Sequence, residues 1–269
     1  MIRISRALPA LLLLASSAGF QEKPETLVQS RRGAVPVLIT APHGGEQAIP
    51  GAAERKNGVT VRDVGTREIA EAVAKHLEEK LGGRPYVVLA LFHRKYADAN
   101  RKEEEALEDP AARPAYRAYH AAVRGYVDEI RRQWPEGALL VDLHGQAADK
   151  GTIHRGTQNG KTVAQLVKRH GEPALIGRKS ILGDLESQGF KVFPSGGALD
   201  TQKESPRFNG GFTVQAYGSQ NADGIDAIQL ELGSDLRAQE REKLEKGLAQ
   251  AIATFYQEYL KGEVKQPKD

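Results

Sequence analysis

Two short stretches carry side chains able to hold a divalent metal ion. His43-Gly44-Gly45-Glu46 follows the apolar run Val35-Pro36-Val37-Leu38-Ile39-Thr40-Ala41, and Asp142-Leu143-His144-Gly145 follows Ala138-Leu139-Leu140-Val141. The candidate ligands are His43, Glu46 and His144. Two imidazoles and a carboxylate suit a borderline-soft ion such as zinc and leave a fourth position for water or substrate, the arrangement of a catalytic site. Structural zinc closes its shell, often with cysteine, and this chain has none. Cobalt or manganese would accept the same ligand types, since affinity order and availability decide between them.

A metal site needs a base and a grip on substrate before it becomes a hydrolase. Glu231 sits in Ile228-Gln229-Leu230-Glu231-Leu232, a carboxylate in an otherwise apolar strand. Such a group is costly unless paired or functional, and burial raises its pKa toward the range of a general base. It could instead pair with Arg101 or Arg237. After the second apolar run comes His93-Arg94-Lys95-Tyr96-Ala97-Asp98-Ala99-Asn100-Arg101. A guanidinium beside an amide suits a planar carboxylate, so Asn100 and Arg101 are the expected substrate anchors. Arg94 could serve beside them, or could polarise the scissile carbonyl and stabilise an oxyanion. Asp142, two residues before His144, leaves a strand on the same side and is a candidate for orienting that imidazole, with Asp98 in the same supporting role. The stretch from Phe193 to Tyr217 is long for a plain connection. Within it Gly210-Gly211 permits close backbone approach to a ligand, and Arg207 or Tyr217 could touch it.

These groups need a scaffold, and the hydropathy pattern supplies one. Short apolar runs alternate with longer helical patterns, which predicts an α/β fold with crossover helices. Strands are expected at 35–41, 86–92, 138–143 and 225–232, and helices over 63–81, 113–133 and near 236–260. The histidine-bearing runs and Glu231 then meet at the carboxyl edge of one sheet, where ligand sites of open α/β proteins gather. His76, His120 and His170 are expected on helix surfaces; His93 could orient the anchor and His154 could line the pocket.

Arg3 and Arg6 precede Ala7-Leu8-Pro9-Ala10-Leu11-Leu12-Leu13-Leu14-Ala15, with small residues at Ser16 and Ala18. This pattern predicts a signal peptide over 1–18 and export to the periplasm or medium, without a stable membrane anchor. A polar lead-in over 19–32, one catalytic domain over 33–261 and a flexible tail over 262–269 complete the expected organisation. The formal net charge of +3 is small and evenly spread, which argues against a nucleic-acid partner. The oligomeric state is left open.

Taken together, Ala41-Pro42-His43-Gly44-Gly45 with Glu46, the Asp63 helix entry, Asp98-Ala99-Asn100-Arg101, Asp142-Leu143-His144-Gly145, Asn209-Gly210-Gly211-Phe212-Thr213 with Tyr217-Gly218, and Gln229-Leu230-Glu231-Leu232 resemble the N-formylglutamate amidohydrolase family. The more distant zinc carboxypeptidases use a similar order. The resemblance implies one domain with a mixed, mostly parallel central sheet flanked by helices, zinc-carboxypeptidase-like. It also implies one zinc ion on His43, Glu46 and His144, Glu231 as general acid/base, and Asn100 and Arg101 on the carboxylate of an acidic or amino-acid-like substrate. Members are commonly cytoplasmic enzymes of histidine breakdown. An exported relative is therefore expected to act on an N-acyl amino acid, a small peptide or a cell-wall fragment. A carboxypeptidase-like peptidase, an esterase and a ligand-binding relative without turnover are the alternatives.

Overall fold

Four apolar runs become the centre of the sheet because they are buried on both faces, as parallel strands covered by helices must be. The computed structural model describes residues 24–195 and 203–261. The expected signal peptide, the expected tail and part of the Phe193–Tyr217 stretch lie outside the described residues. Seven strands form one sheet: β1 (Val28–Arg31), β2 (Val37–Ala41), β3 (Tyr86–Ala90), β4 (Leu139–Gln146), β5 (Thr152–Gly156), β6 (Lys191–Phe193) and β7 (Asp226–Gly233). Their order is β1-β3-β2-β4-β7-β5-β6. The central β3-β2-β4-β7 pairings are parallel, whereas β1 joins β3 and β5 joins β7 antiparallel, so the sheet is mixed and mostly parallel.

The helices are α1 (Thr66–Leu81), α2 (Glu103–Ala106), α3 (Arg113–Gln133), α4 (Ala164–His170), α5 (Pro173–Ile176), α6 (Ile181–Ser187), α7 (Phe212–Tyr217), α8 (Ser234–Ala238) and α9 (Arg241–Phe255). On one face of the sheet Val37, Ile39, Val141, Leu143, Ile228, Leu230 and Leu232 pack under α1 and α9. On the other, Leu38, Leu140 and Ala227 pack under α3 and α7. Because successive strand residues alternate faces, Asp142 and His144 follow Leu140 onto the α3 side, and Gln229 and Glu231 follow Ala227 onto it. The β4/β7 register then sets His144 opposite Glu231 and Asp142 opposite Gln229.

Three expectations change. The lead-in is not merely polar chain, since Val28–Arg31 forms the β1 edge strand. The single helix expected near 236–260 is broken: α8 stays at the end of β7, and after Gln239 and Glu240 the chain restarts as α9, which packs on α1. β5 is hidden from an apolar scan because its centre is His154-Arg155. Both are buried beside an acidic partner, His154 Nε2 by Asp149 Oδ2 at 3.2 Å and Arg155 Nε by Glu204 Oε1 at 2.9 Å. Glu204 also accepts from the backbone N–H groups of Thr157 (2.7 Å) and Asn159 (2.9 Å), so this one buried carboxylate ties the returning chain at 203–211 to β5.

His120 is not a surface histidine. It packs edge-on to Tyr119 and Phe212 and close to Tyr116, and its Nδ1 lies 2.8 Å from the Tyr217 hydroxyl. Burial lowers its pKa to about 4.

Two outcomes follow from these packing arrangements. Glu204→Ala leaves the buried Arg155 guanidinium uncompensated and should cost about 3–5 kcal/mol in urea denaturation, whereas replacing both members of the pair by Met should recover much of that loss. Since unfolded His120 titrates near its ordinary value and the folded form does not bind the proton until about pH 4, stability should fall as pH drops from about 6.5 toward 4. His120→Gln should flatten that part of the stability profile; an unchanged slope would contradict the burial argument.

Candidate metal centre and cleft

The β2 strand ends at Ala41 and delivers His43 to the carboxyl edge of the sheet. The two glycines after it are required by space. A Cβ on Gly44 would sit 2.5 Å from the Arg67 backbone nitrogen, and one on Gly45 would sit 2.4 Å from the Leu91 carbonyl. The loop therefore passes tightly between the start of α1 and the end of β3. Just before α1, the Asp63 carbonyl accepts from the Thr66 hydroxyl at 2.8 Å, which leaves the Asp63 carboxylate free to turn inward. There its Oδ2 accepts from the Gly145 N–H at 2.9 Å.

Three buried groups converge: His43, Asp63 and His144. His43 Nδ1 lies 3.1 Å from His144 Nδ1, and Asp63 Oδ2 lies 3.4 Å from the first and 3.5 Å from the second. Ligands about 2.0–2.1 Å from a tetrahedral ion are separated by about 3.3 Å, so this triangle is one face of such a tetrahedron. The far side of each ring is held by a carboxylate. His43 Nε2 meets Asp98 Oδ1 at 2.6 Å, and His144 Nε2 meets Asp142 Oδ2 at 2.8 Å. The Thr40 hydroxyl in turn donates to Asp142 Oδ1 at 2.6 Å. Each Nε2–H donates outward, so both Nδ1 lone pairs point at the same spot, and only a cation or a shared proton relieves their repulsion. The electrostatics agree. Burial opposes a positive ring at His144, but Asp142 and Asp63 hold its pKa well above the usual histidine range. Burial likewise opposes charge on Asp63, yet His144 and His43 keep it well below the usual carboxylate range.

This centre lies in a cleft of about 770 Å³ that also takes in Glu231, Asn100, Arg101 and Arg207. Burial raises the Glu231 pKa, with the neighbouring His144 opposing. Gln229, two residues earlier on the same face, donates through Nε2 to Glu231 Oε1 at 2.9 Å and accepts the Gly211 N–H on Oε1 at 2.7 Å. The Asn100 Oδ1 accepts from the Thr213 N–H at 2.7 Å, and its amide nitrogen lies 3.3 Å from His144 Nε2, on the Asp142 side of that ring. Gly210 and Gly211 line the cleft. The close approach at Gly211 is to Asn100 itself, whose Nδ2 would stand 2.1 Å from an added Cβ. Arg101 and Arg207 are exposed at the rim.

Several expected residues are placed otherwise. Glu46 is exposed and bound to Arg62 Nη1 at 2.6 Å, outside the imidazole pair. The carboxylate beside the imidazoles is Asp63, because the chain turns away after Gly45 and returns only at the start of α1. Arg94 is buried against two carboxylates, Asp98 Oδ2 at 2.6 Å and Asp63 Oδ1 at 3.4 Å, which commits its guanidinium to positioning them. Tyr217 is buried in the α3/α7 core on His120, with Arg124 over its ring, and does not line the cleft. His93 accepts the Lys95 N–H, and His154 packs behind Phe208; neither lines the cleft. Two residues escaped the sequence reading. Asp63 was legible only as a helix entry. Gln229 carried a signal in its two-residue spacing from Glu231.

The architecture is a mixed-sheet α/β fold with helices on both faces. The crystal structure of N-formylglutamate amidohydrolase from Ralstonia eutropha is similar with a TM-score of 0.56 at 17% identity, over 84% of this chain and 94% of that one. A gene product of Agrobacterium tumefaciens gives a TM-score of 0.54 at 18% identity, over 90% and 96%. These likenesses show a shared fold. No family model matches the sequence, and no curated protein matches it.

Removal of any one converging group should abolish tight metal binding. His43→Ala, Asp63→Ala and His144→Ala are expected to lose bound metal in elemental analysis of the purified protein, whereas Glu46→Ala retains it. Equal metal content in all four would refute the assignment of the centre.

Proposed function

We propose that the protein is an exported, zinc-dependent amidohydrolase that cleaves the amide bond of an N-acyl amino acid or small peptide bearing a carboxylate. The observation that carries this reading is the convergence of His43 Nδ1, His144 Nδ1 and Asp63 Oδ2 on one point, each imidazole backed by an aspartate. Two nitrogens and one oxygen at tetrahedral spacing favour zinc among the divalent ions. The fold shared with an N-formylglutamate amidohydrolase supports the reaction class. The Arg3–Ala18 leader pattern supports export.

When bound, the ion supplies positive charge that polarises a carbonyl and acidifies water. The chain's own residues do the rest. Gln229 occupies Glu231 Oε1, so Oε2 is the atom left to take a proton from the attacking water and return it to the departing nitrogen. Burial, which raises the Glu231 pKa, makes it a better proton acceptor than an exposed carboxylate. Asn100, pinned through Thr213, and the exposed Arg101 and Arg207 are suited to a carboxylate, the guanidinium groups by paired hydrogen bonds. Arg94 and Asp98 keep His43 and Asp63 in place.

With zinc supplied, Glu231→Gln should lower kcat by about 10²–10⁴-fold while metal content stays at the wild-type level. Arg101→Ala should act chiefly on KM. Amine release from N-acyl amino acids and dipeptides measures both, and zinc-loaded wild-type protein that releases none from either class would overturn the hydrolase reading.

A further inference from the structure

The segment leading into Asp63 carries Val59, Val61 and Val64, exposed by 54%, 73% and 59%. Among the described residues these are the large hydrophobic side chains that stand out in solvent. All three fall within six residues, and Val59 and Val61 line the same cleft as His43, Asp63 and Glu231. Scattered apolar residues on a surface need no explanation, but a cluster at the mouth of a site does. The segment is also held in place. Arg55 Nη1 donates to the Val59 carbonyl at 3.4 Å and to the Arg94 carbonyl at 3.0 Å, and Arg237 donates to the Val64 carbonyl. The valines are thus presented from a tethered backbone.

The opposite rim has another chemistry. The valines precede α1, which covers one face of the sheet, whereas Arg101 and Lys102 lead toward α3 and Arg207 toward α7, which cover the other. Among the described residues no carboxylate pairs with the side chains of Arg101, Lys102 or Arg207, and all three are exposed in the cleft lining. A ligand that satisfied both rims would place its carboxylate on the cationic side, its scissile amide at the centre and its other end against the valines. A cleft of about 770 Å³ is far larger than a formyl group on an amino acid requires.

We infer that Val59 and Val61 form an acyl subsite, and that the substrate is an amino acid carrying an extended apolar acyl chain rather than a formyl group. This rests on the amidohydrolase reading for its chemistry and on the two rims for its specificity. Each methylene laid against the valines should raise kcat/KM about two- to fourfold until the subsite is filled.

The test is a series of N-formyl-, N-acetyl-, N-butyryl- and N-octanoyl-L-glutamate with zinc-loaded protein. The expected result is a rise of at least tenfold in kcat/KM from acetyl to octanoyl, lost in the Val59→Ser/Val61→Ser double variant and kept in Val64→Ser. The folded state of each variant is checked by its melting temperature. A flat or falling series in wild-type protein, or an undiminished gain in the double variant, overturns the subsite. Calorimetric binding of the acetyl and octanoyl compounds to Glu231→Gln protein separates this inference from the reading beneath it. Tighter octanoyl binding without turnover by wild type keeps the subsite and removes the amidohydrolase. Turnover with no chain-length gain in either rate or binding does the reverse.

Discussion

Two imidazole nitrogens, His43 Nδ1 and His144 Nδ1, are held 3.1 Å apart with their lone pairs facing. Without a proton or a cation between them that contact would be repulsive, and a set of buried polar groups holds it in place. Asp98 and Asp142 fix the tautomers by accepting from the two Nε2–H groups. Those aspartates are themselves buried, so each requires its own donors: Thr40 for Asp142, and Arg94 with the Asn100 N–H for Asp98. The hydrogen bonds run outward from one point to the Thr40 hydroxyl, the Asn100 N–H and the Arg94 guanidinium. A buried polar network is stable only when closed in this way, because each unsatisfied member carries a full desolvation cost.

The sheet makes that closure geometrically simple. Parallel pairing of β2, β4 and β7 brings Thr40, Asp142 and Gln229 into one cross-strand row, and His144 and Glu231 into the next. With a side-chain period of two, the same strands that bury Val141, Leu143, Leu230 and Leu232 beneath α1 and α9 turn Asp142, His144, Gln229 and Glu231 to the other face. A slip of one residue in the β4/β7 register would send the polar row into the apolar core. Hydrophobic patterning therefore fixes the relative position of ligand, orienting carboxylate and base.

This is why so much of the centre was legible in the sequence. His43, His144, Asp142 and Glu231 sit in or just after apolar runs that could be placed as strands, and period two carries them to one edge. Asp98 and Asn100 were legible as a cluster because they follow the second apolar run. What failed was the part set by loops. His-x-x-Glu placed Glu46 beside His43, but a three-residue step after a strand has no fixed direction, and the Gly44-Gly45 turn carries Glu46 out to Arg62. Asp63, some twenty residues along and outside any periodic element, enters because the chain returns at the start of α1, a tertiary fact that local spacing does not encode. Tyr217 is the opposite case: its place in the Gly210-Gly211 stretch pointed to a ligand, whereas its hydroxyl has a buried partner in His120. β5 was invisible because its buried centre, His154-Arg155, is charged-type sequence made tolerable only by Asp149 and Glu204.

The charge balance at the centre gives the design its direction. Asp63, Asp98 and Asp142 are buried and ionisable, while Arg55 and Arg94 are the buried cations beside them. Counted without the imidazoles, this leaves the cluster one negative charge in excess, and without a metal the proton that Asp142 and Asp63 favour on His144 offsets it. A divalent cation changes that excess to a net positive charge of the same size. In the first state, burial raises the Glu231 pKa, with His144 and His43 opposing and Asp63 and Asp142 adding to it. In the second, Glu231 faces a positive centre, and so does any oxygen of a bound carbonyl. Metal binding would thus replace that proton and create the electrophilic field in the same step, since the free energy of filling such a site is also free energy of holding the fold together. The arrangement therefore suits a divalent cation better than a single positive charge, which would cancel the excess without leaving any field for the carbonyl.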